Sequence, residues 1–222
     1  MEPLKILISV GDECVSGLLL RPAEAKALYL FGHGAGAGMT HKSMVANAEG
    51  LAARGIATLR YQFLYMEKGA KRPDPPRLAH AVVRAAAAQA ALLAPDLPLF
   101  AGGRSFGGRM TSQTQAEAPL SGVRGLAFLG FPLHPAGKPG VERAQHLARV
   151  QVPMLFVSGA RDALAELDLL RSVIAALGER ATLRVIDHAD HGFRVPAKSG
   201  RTSADAEAEA LDALVDWIGA RV

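Results

Sequence analysis

Short apolar runs alternate with longer segments of helical repeat along almost the whole chain. Ile6–Val10 and Val15–Leu20 read as an opening antiparallel pair joined through Gly11 and Asp12. Ala27–Phe31 is an apolar run entering a glycine-rich turn. Met44–Arg54 is then helical and stops at Gly55, a common C-terminal residue, before a strand over Ala57–Tyr61. Gln62–Pro76 is the longest irregular stretch; its prolines forbid a continuing helix and start the next one, Arg77–Leu93. The second half repeats the rhythm. Strands are predicted at Leu99–Gly102, Gly125–Leu129, Met154–Ser158 and Thr182–Ile186, and helices at Gly107–Glu117, Val141–Arg149 and Ala163–Leu177. A last helix opens near Ser203 with carboxylates in its early turns. Its stripe of Leu211, Leu214, Val215 and Ile218 has the i, i+3, i+4, i+7 spacing of a face packed on a sheet.

Strands separated by helices imply right-handed crossovers and an α/β fold, with a mostly parallel central sheet and helices on both faces. No linker or repeat interrupts the pattern, so residues 1–222 are expected to form a single domain. In such sheets chemistry gathers where strands end and helices begin.

Composition narrows the partners. Half of the residues are apolar and 21% are charged, which excludes a disordered or fibrous chain. No apolar run approaches the length of a membrane span, and no secretory signal is legible at the N-terminus. The single cysteine, Cys14, cannot form an internal disulfide, and a reducing, cytoplasmic location is expected. The formal charge of +4 is a small excess of 25 basic over 21 acidic residues. Its one tight basic cluster, Lys68, Lys71 and Arg72, has few aromatics nearby to stack bases, so it reads as a solvated loop and no nucleic-acid partner is expected.

The sharpest chemical signal is Gly103-Arg104-Ser105-Phe106-Gly107, a G-x-S-x-G between a predicted strand and a predicted helix. A serine at the tip of a sharp strand-to-helix turn has a strained backbone, and its neighbours two residues away must lack bulk. With ten serines in the chain, chance supplies about 0.1 such match, and placement in a strand–helix junction sharpens the signal further. Serine needs a base, and the base an orienting carboxylate. Asp162 lies just past one strand; Asp187-His188-Ala189-Asp190-His191-Gly192-Phe193 follows the last. The order Ser105, Asp162, His191 is a nucleophile–acid–base order. His191 is preferred over His188 because it sits deeper in the loop, and Asp187 and Asp190 stand as alternative orienters that read better as turn formers. A metal site at His188 and His191 lacks a third ligand at useful spacing.

An oxyanion hole requires backbone N–H groups aimed at developing charge. Phe106, after the nucleophile, is one candidate; the other lies in Gly32–Gly38, with Ala35 first and Gly36 next. That segment also satisfies a weak dinucleotide pattern through Gly32, Gly34 and Ala37, but Arg60 and Tyr61 stand where a ribose-binding acid is needed. His33 is read as hydrogen-bonding its own loop. Pocket walls are assigned to Gly36, Tyr65, Phe131, Leu133 and Phe193.

From about Lys26 onward the chain resembles an α/β-hydrolase of the small, lidless dienelactone-hydrolase-like kind. More closely, it resembles bacterial proteins related to a testis-expressed hydrolase-like protein and to a subunit of a histone-acetyltransferase complex. The marks are Gly32-His33-Gly34-Ala35-Gly36, Tyr65-Met66 before the proline loop, Gly103–Gly108, Gly130-Phe131-Pro132-Leu133-His134-Pro135 and Asp190-His191-Gly192-Phe193. The resemblance implies an α/β-hydrolase fold without a lid domain and the triad and oxyanion roles just assigned. Ser105 stands where dienelactone hydrolase itself has cysteine, which puts that substrate in doubt. The expected activity is hydrolysis of a small-molecule carboxylic ester or thioester, with no metal and no cofactor. A non-catalytic interaction scaffold, and a peptidase or acyltransferase using the same triad, are the competing readings.

Overall fold

Eight strands form one sheet in the order β1-β2-β4-β3-β5-β6-β7-β8 in the computed structural model, which describes residues 1–222. β1 (Leu4–Val10) and β2 (Glu13–Leu20) are the antiparallel pair expected from the sequence. Gly11 turns it with φ +61°, a conformation that suits a residue without a Cβ. β2 then pairs antiparallel with β4 (Ile56–Tyr61). From β4 onward every pairing is parallel, through β3 (Ala27–Gly32), β5 (Leu99–Arg104), β6 (Val123–Leu129), β7 (Met154–Gly159) and β8 (Ala181–Ile186).

The sheet is buried on both faces, which is why its central strands are continuous apolar runs rather than alternating ones. One face carries α3 (Pro76–Leu93), α4 (Phe106–Glu117) and α5 (Leu167–Leu177) over a cluster of 36 buried side chains. The other carries α1 (Lys42–Ala52) and α6 (Ser203–Gly219) over a cluster of 20. The anticipated stripe of α6 faces inward, with Leu211, Leu214 and Ile218 buried and Val215 packed at the margin. Thr202 and Asp205 close a capping box at its start. No helix is long and apolar enough to cross a membrane.

Three elements differ from expectation. The stretch after β4 contains a single helical turn, α2 (Leu64–Glu67). Glu142–Arg149 is a 3-10 helix rather than an α-helix. Its buried positions Ala144, Leu147 and, just beyond, Val150 recur every three residues, the period of the tighter helix. Finally, α5 begins at Leu167 rather than Ala163, because the Asp162 side chain accepts the Leu164 N–H at 2.8 Å and holds that turn outside the helix.

The topology selects one end of the sheet. The chain steps from β3 outward to β4 and then returns to the other side of β3 as β5. Loops leaving β3 and β5 therefore diverge to opposite faces and open a crevice at the strands' C-terminal ends. These loops carry Gly32–Gly38 and Ser105. Residues 130–141 join β6 to the 3-10 helix with no inserted domain over the crevice.

Candidate active site

Ser105 forms the turn between β5 and α4 with φ 50° and ψ −110°, a conformation strained for any residue with a side chain. The packing around it explains the flanking glycines. A Cβ on Gly103 would lie 2.4 Å from the Gly32 carbonyl oxygen, and a Cβ on Gly107 would lie 2.4 Å from the Gly32 carbonyl carbon and oxygen. The end of β3 thus presses directly on the turn and holds the serine outward.

His191 lies in the loop after β8. Its Nε2 is 2.9 Å from Ser105 Oγ, and its Nδ1 is 2.8 Å from Asp162 Oδ2. Asp162, just past β7, has a fully buried side chain whose other oxygen accepts the Leu164 N–H at 2.8 Å. A carboxylate accepts only, so Nδ1 carries the imidazole proton and Nε2 is left to accept from the serine hydroxyl. His191 itself is 25% exposed, open to water and small solutes. Its loop is braced internally: Asp190 Oδ1 accepts the N–H groups of Gly192 (2.8 Å) and Arg194 (2.9 Å). Asp190 is thus a turn former. His188 is exposed and away from this line, with φ +62°. No group of three His, Cys, Asp or Glu side chains is placed to hold a metal.

Gly34 flanks the nucleophile, since a Cβ placed on it would be 3.9 Å from Ser105 Cβ. The N–H groups of Phe106, at the first position of α4, and of Ala35 have no acceptor within the protein. The Gly36 N–H is already given to Tyr65 Oη at 3.0 Å, so of the two loop candidates only Ala35 keeps a free donor. His33 fixes that peptide. Its Nε2 accepts the Phe63 N–H at 3.2 Å, which leaves the proton on Nδ1, donated to Gly34 O at 2.8 Å. The same trans peptide carries the Ala35 N–H, which is turned the opposite way. Burial lowers the His33 pKa from 6.5 to about 4, so the ring is neutral, as this pattern requires. Phe63 packs edge-on against both His33 and Phe106, with centroids 4.9 and 5.0 Å away, and supports the arrangement from beneath.

Ser105 opens onto a groove of about 350 Å³ whose walls include Ala37, Ser43, Met44, Leu164 and Gly192. A second cleft of about 610 Å³ shares Ser43, Arg104 and Gly192 with it and is lined chiefly by polar and charged residue types. The assigned walls need correction. Tyr65 is buried beneath the glycine loop, with its hydroxyl held by Gly36. Phe131 and Leu133 are 1% and 0% exposed and belong to the core, Phe131 packed edge-on against Phe128 and Phe156 with ring centroids 5.2 and 5.5 Å away. Phe193 is also buried and reaches only the second cleft, its ring under Arg104. With no lid, apolar residues leaving these strands are consumed in covering the sheet. Sequence reasoning missed the groove's floor, Met44 in the first turn of α1, which is itself fully buried in the core, and one half-buried wall, Leu164, two residues past Asp162. The second position was readable from its proximity to Asp162; Met44 carried no signal. Gly130 was also missed as a contact: a Cβ there would stand 3.2 Å from His191 Cε1.

Known proteins share this architecture. The chain is similar in structure to a dienelactone hydrolase from Anabaena variabilis (TM-score 0.78, 23% identity, all of both chains covered). It is also similar to an α/β serine hydrolase homologue from Coxiella burnetii (0.76, 18%, 96% and 97% covered). A lidless α/β serine hydrolase from Xanthomonas campestris is a further match (0.74, 18%, 98% and 95% covered). At these identities the likeness is one of fold. The sequence pattern of the alpha/beta hydrolase domain matches residues 25–219, nearly the whole chain and every element around the crevice. The match takes in every element from β3 to α6, the turn at Ser105 among them, and this chain belongs to the alpha/beta hydrolase domain family.

Proposed function

We propose that this hydrolase cleaves a small carboxylic ester or thioester through an acyl-enzyme on Ser105. The observation that carries the reading is the hydrogen-bonded line Ser105 Oγ–His191–Asp162, flanked by two N–H groups without acceptors. Ser105 Oγ bonds to the acyl carbon as its proton passes to His191 Nε2. The carbonyl oxygen becomes an oxyanion held by the Phe106 and Ala35 N–H groups. Collapse breaks the bond to the leaving alkoxide or thiolate, which takes the Nε2 proton. Water then attacks the acyl-enzyme, gives a proton to the same nitrogen, and the carboxylic acid leaves as Ser105 recovers its hydrogen. Asp162 holds the tautomer and offsets the charge of the transient imidazolium. The small, open groove suits a soluble, compact acyl group.

The test is incubation with a fluorophosphonate and location of the added mass by peptide mass spectrometry. Labelling is expected at Ser105, absent in Ser105→Ala and in His191→Ala, followed by turnover of short acyl esters or thioesters. Folded protein that takes no label would overturn the reading in favour of an interaction scaffold.

A further inference from the structure

Arg104 occupies the variable position before the nucleophile, and its side chain is only 12% exposed. Nη1 donates to Asn47 Oδ1 at 2.9 Å and to Glu207 Oε1 at 3.0 Å; Nη2 donates to the Gly192 carbonyl at 2.8 Å. Asn47 Nδ2 in turn donates to Glu207 Oε1 at 2.7 Å, and the guanidinium lies 5.3 Å over the Phe193 ring. One planar group therefore joins the end of β5, α1, α6 and the residue directly after His191.

We propose that Arg104 is a positioning residue that sets His191 against Ser105. The loop's own hydrogen bonds, from Asp190 to Gly192 and Arg194, stiffen it but anchor it to nothing else. Before His191, the Arg161 N–H holds the Ala189 carbonyl at 2.8 Å; immediately after it, the tie to the nucleophile's strand is Arg104 on Gly192. Because Arg104 and Ser105 are consecutive, the guanidinium gauges the His191 loop from the same backbone that presents Oγ. Only a planar fork spans Gly192 on one arm and Asn47 with Glu207 on the other; an ammonium reaches one of them. Glu207 balances the charge, so the clamp adds no uncompensated cation beside the imidazole.

The inference rests on the triad reading, and its test separates the two. In Arg104→Met, kcat for a short acyl ester and the rate of fluorophosphonate labelling fall 30-fold or more with KM within threefold, since misplacement of reacting groups costs rate rather than affinity. Arg104→Lys is intermediate, and added ethylguanidine restores part of the rate to Arg104→Ala but none to Ser105→Ala. Independently of turnover, the low-field proton resonance of His191 Nδ1–H, bonded to Asp162, is sharp in the parent and broadened or lost in Arg104→Met. Should Arg104→Met fold poorly, Glu207→Gln, which loosens one arm of the clamp, lowers kcat about fivefold at constant KM. A folded Arg104 variant with parental kcat and an unchanged resonance overturns the proposal. A parent with the sharp resonance but no labelling at Ser105 overturns the triad reading and leaves Arg104 to be judged on the resonance alone.

Discussion

Replacing Asp162 by Asn exchanges one buried oxygen for an amide nitrogen at constant volume and tests the tautomer of His191. The structure decides how the new amide must sit. Oδ1 faces the Leu164 N–H at 2.8 Å, so the amide oxygen stays there and its NH2 faces His191 Nδ1. Turning the amide over would set two donors against each other in a buried site, at about 2–3 kcal/mol. Nδ1 must then accept, the proton moves to Nε2, and the ring can no longer take the Ser105 proton. That preference leaves the productive arrangement at about 0.6–3%, a loss of about 30- to 150-fold. Losing a charged partner for the imidazolium, worth about 1.5–3 kcal/mol, removes a further 10- to 100-fold or so. The expected fall in kcat and in the labelling rate is about 10³–10⁴-fold, with Tm changed by only a few degrees because shape and the Leu164 bond persist. The assay is fluorophosphonate labelling and ester turnover on purified parent and variant, alongside calorimetry. A well-folded Asp162→Asn protein keeping more than about a tenth of parental rate would refute the tautomer argument.

Other perturbations address the turn, the core and acid stability. Gly107→Ala puts a methyl 2.4 Å from the Gly32 carbonyl and is expected to yield little folded protein; normal expression and Tm would show that β3 does not press on the turn. Phe131→Leu costs about 1–3 kcal/mol in urea unfolding while leaving ester KM unchanged, because Phe131 is core rather than wall; a large KM shift would reverse that assignment. Burial lowers the pKa of both His33 and His146 from 6.5 to about 4, the latter aided by Arg149, Arg109 and His80. The unfolded chain binds these protons below its own pKa while the folded chain does not, so stability is flat above about pH 6.5 and falls toward pH 4. For His33 alone the loss between pH 7.5 and 5 is about 2 kcal/mol, and urea unfolding that shows equal or greater stability at pH 5 would contradict it.

Reading residues in order recovers whatever is set by near neighbours. Apolar period, prolines and turn glycines located every strand to within about three residues, because each is written in adjacent side chains and backbone hydrogen bonds. The same locality failed at α5, where a side chain of the preceding loop, Asp162, captured a backbone N–H that the helix pattern had claimed. The helix predicted over Val141–Arg149 is present as a 3-10 helix over Glu142–Arg149, a distinction set by which of its side chains the neighbouring elements bury. Phe131 and Leu133 were misplaced for a different reason: an apolar side chain after a strand looks the same whether it lines a groove or seals the sheet.

What the sequence by itself determined is the order of elements and the G-x-S-x-G turn, since strained backbone and missing side chains leave their mark within five residues. It also narrowed the partners of Ser105 to a few loop residues. Only the tertiary structure decided which of them meet. His191 is 86 positions from Ser105 and 29 from Asp162, and their separations of 2.9 and 2.8 Å follow from β5, β6, β7 and β8 lying side by side and parallel. The Arg104 clamp, spanning β5, α1, α6 and the His191 loop, is equally invisible along the chain. Local backbone chemistry writes the elements, whereas register and helix packing across the sheet set the ångströms between distant side chains, and no single segment carries that information.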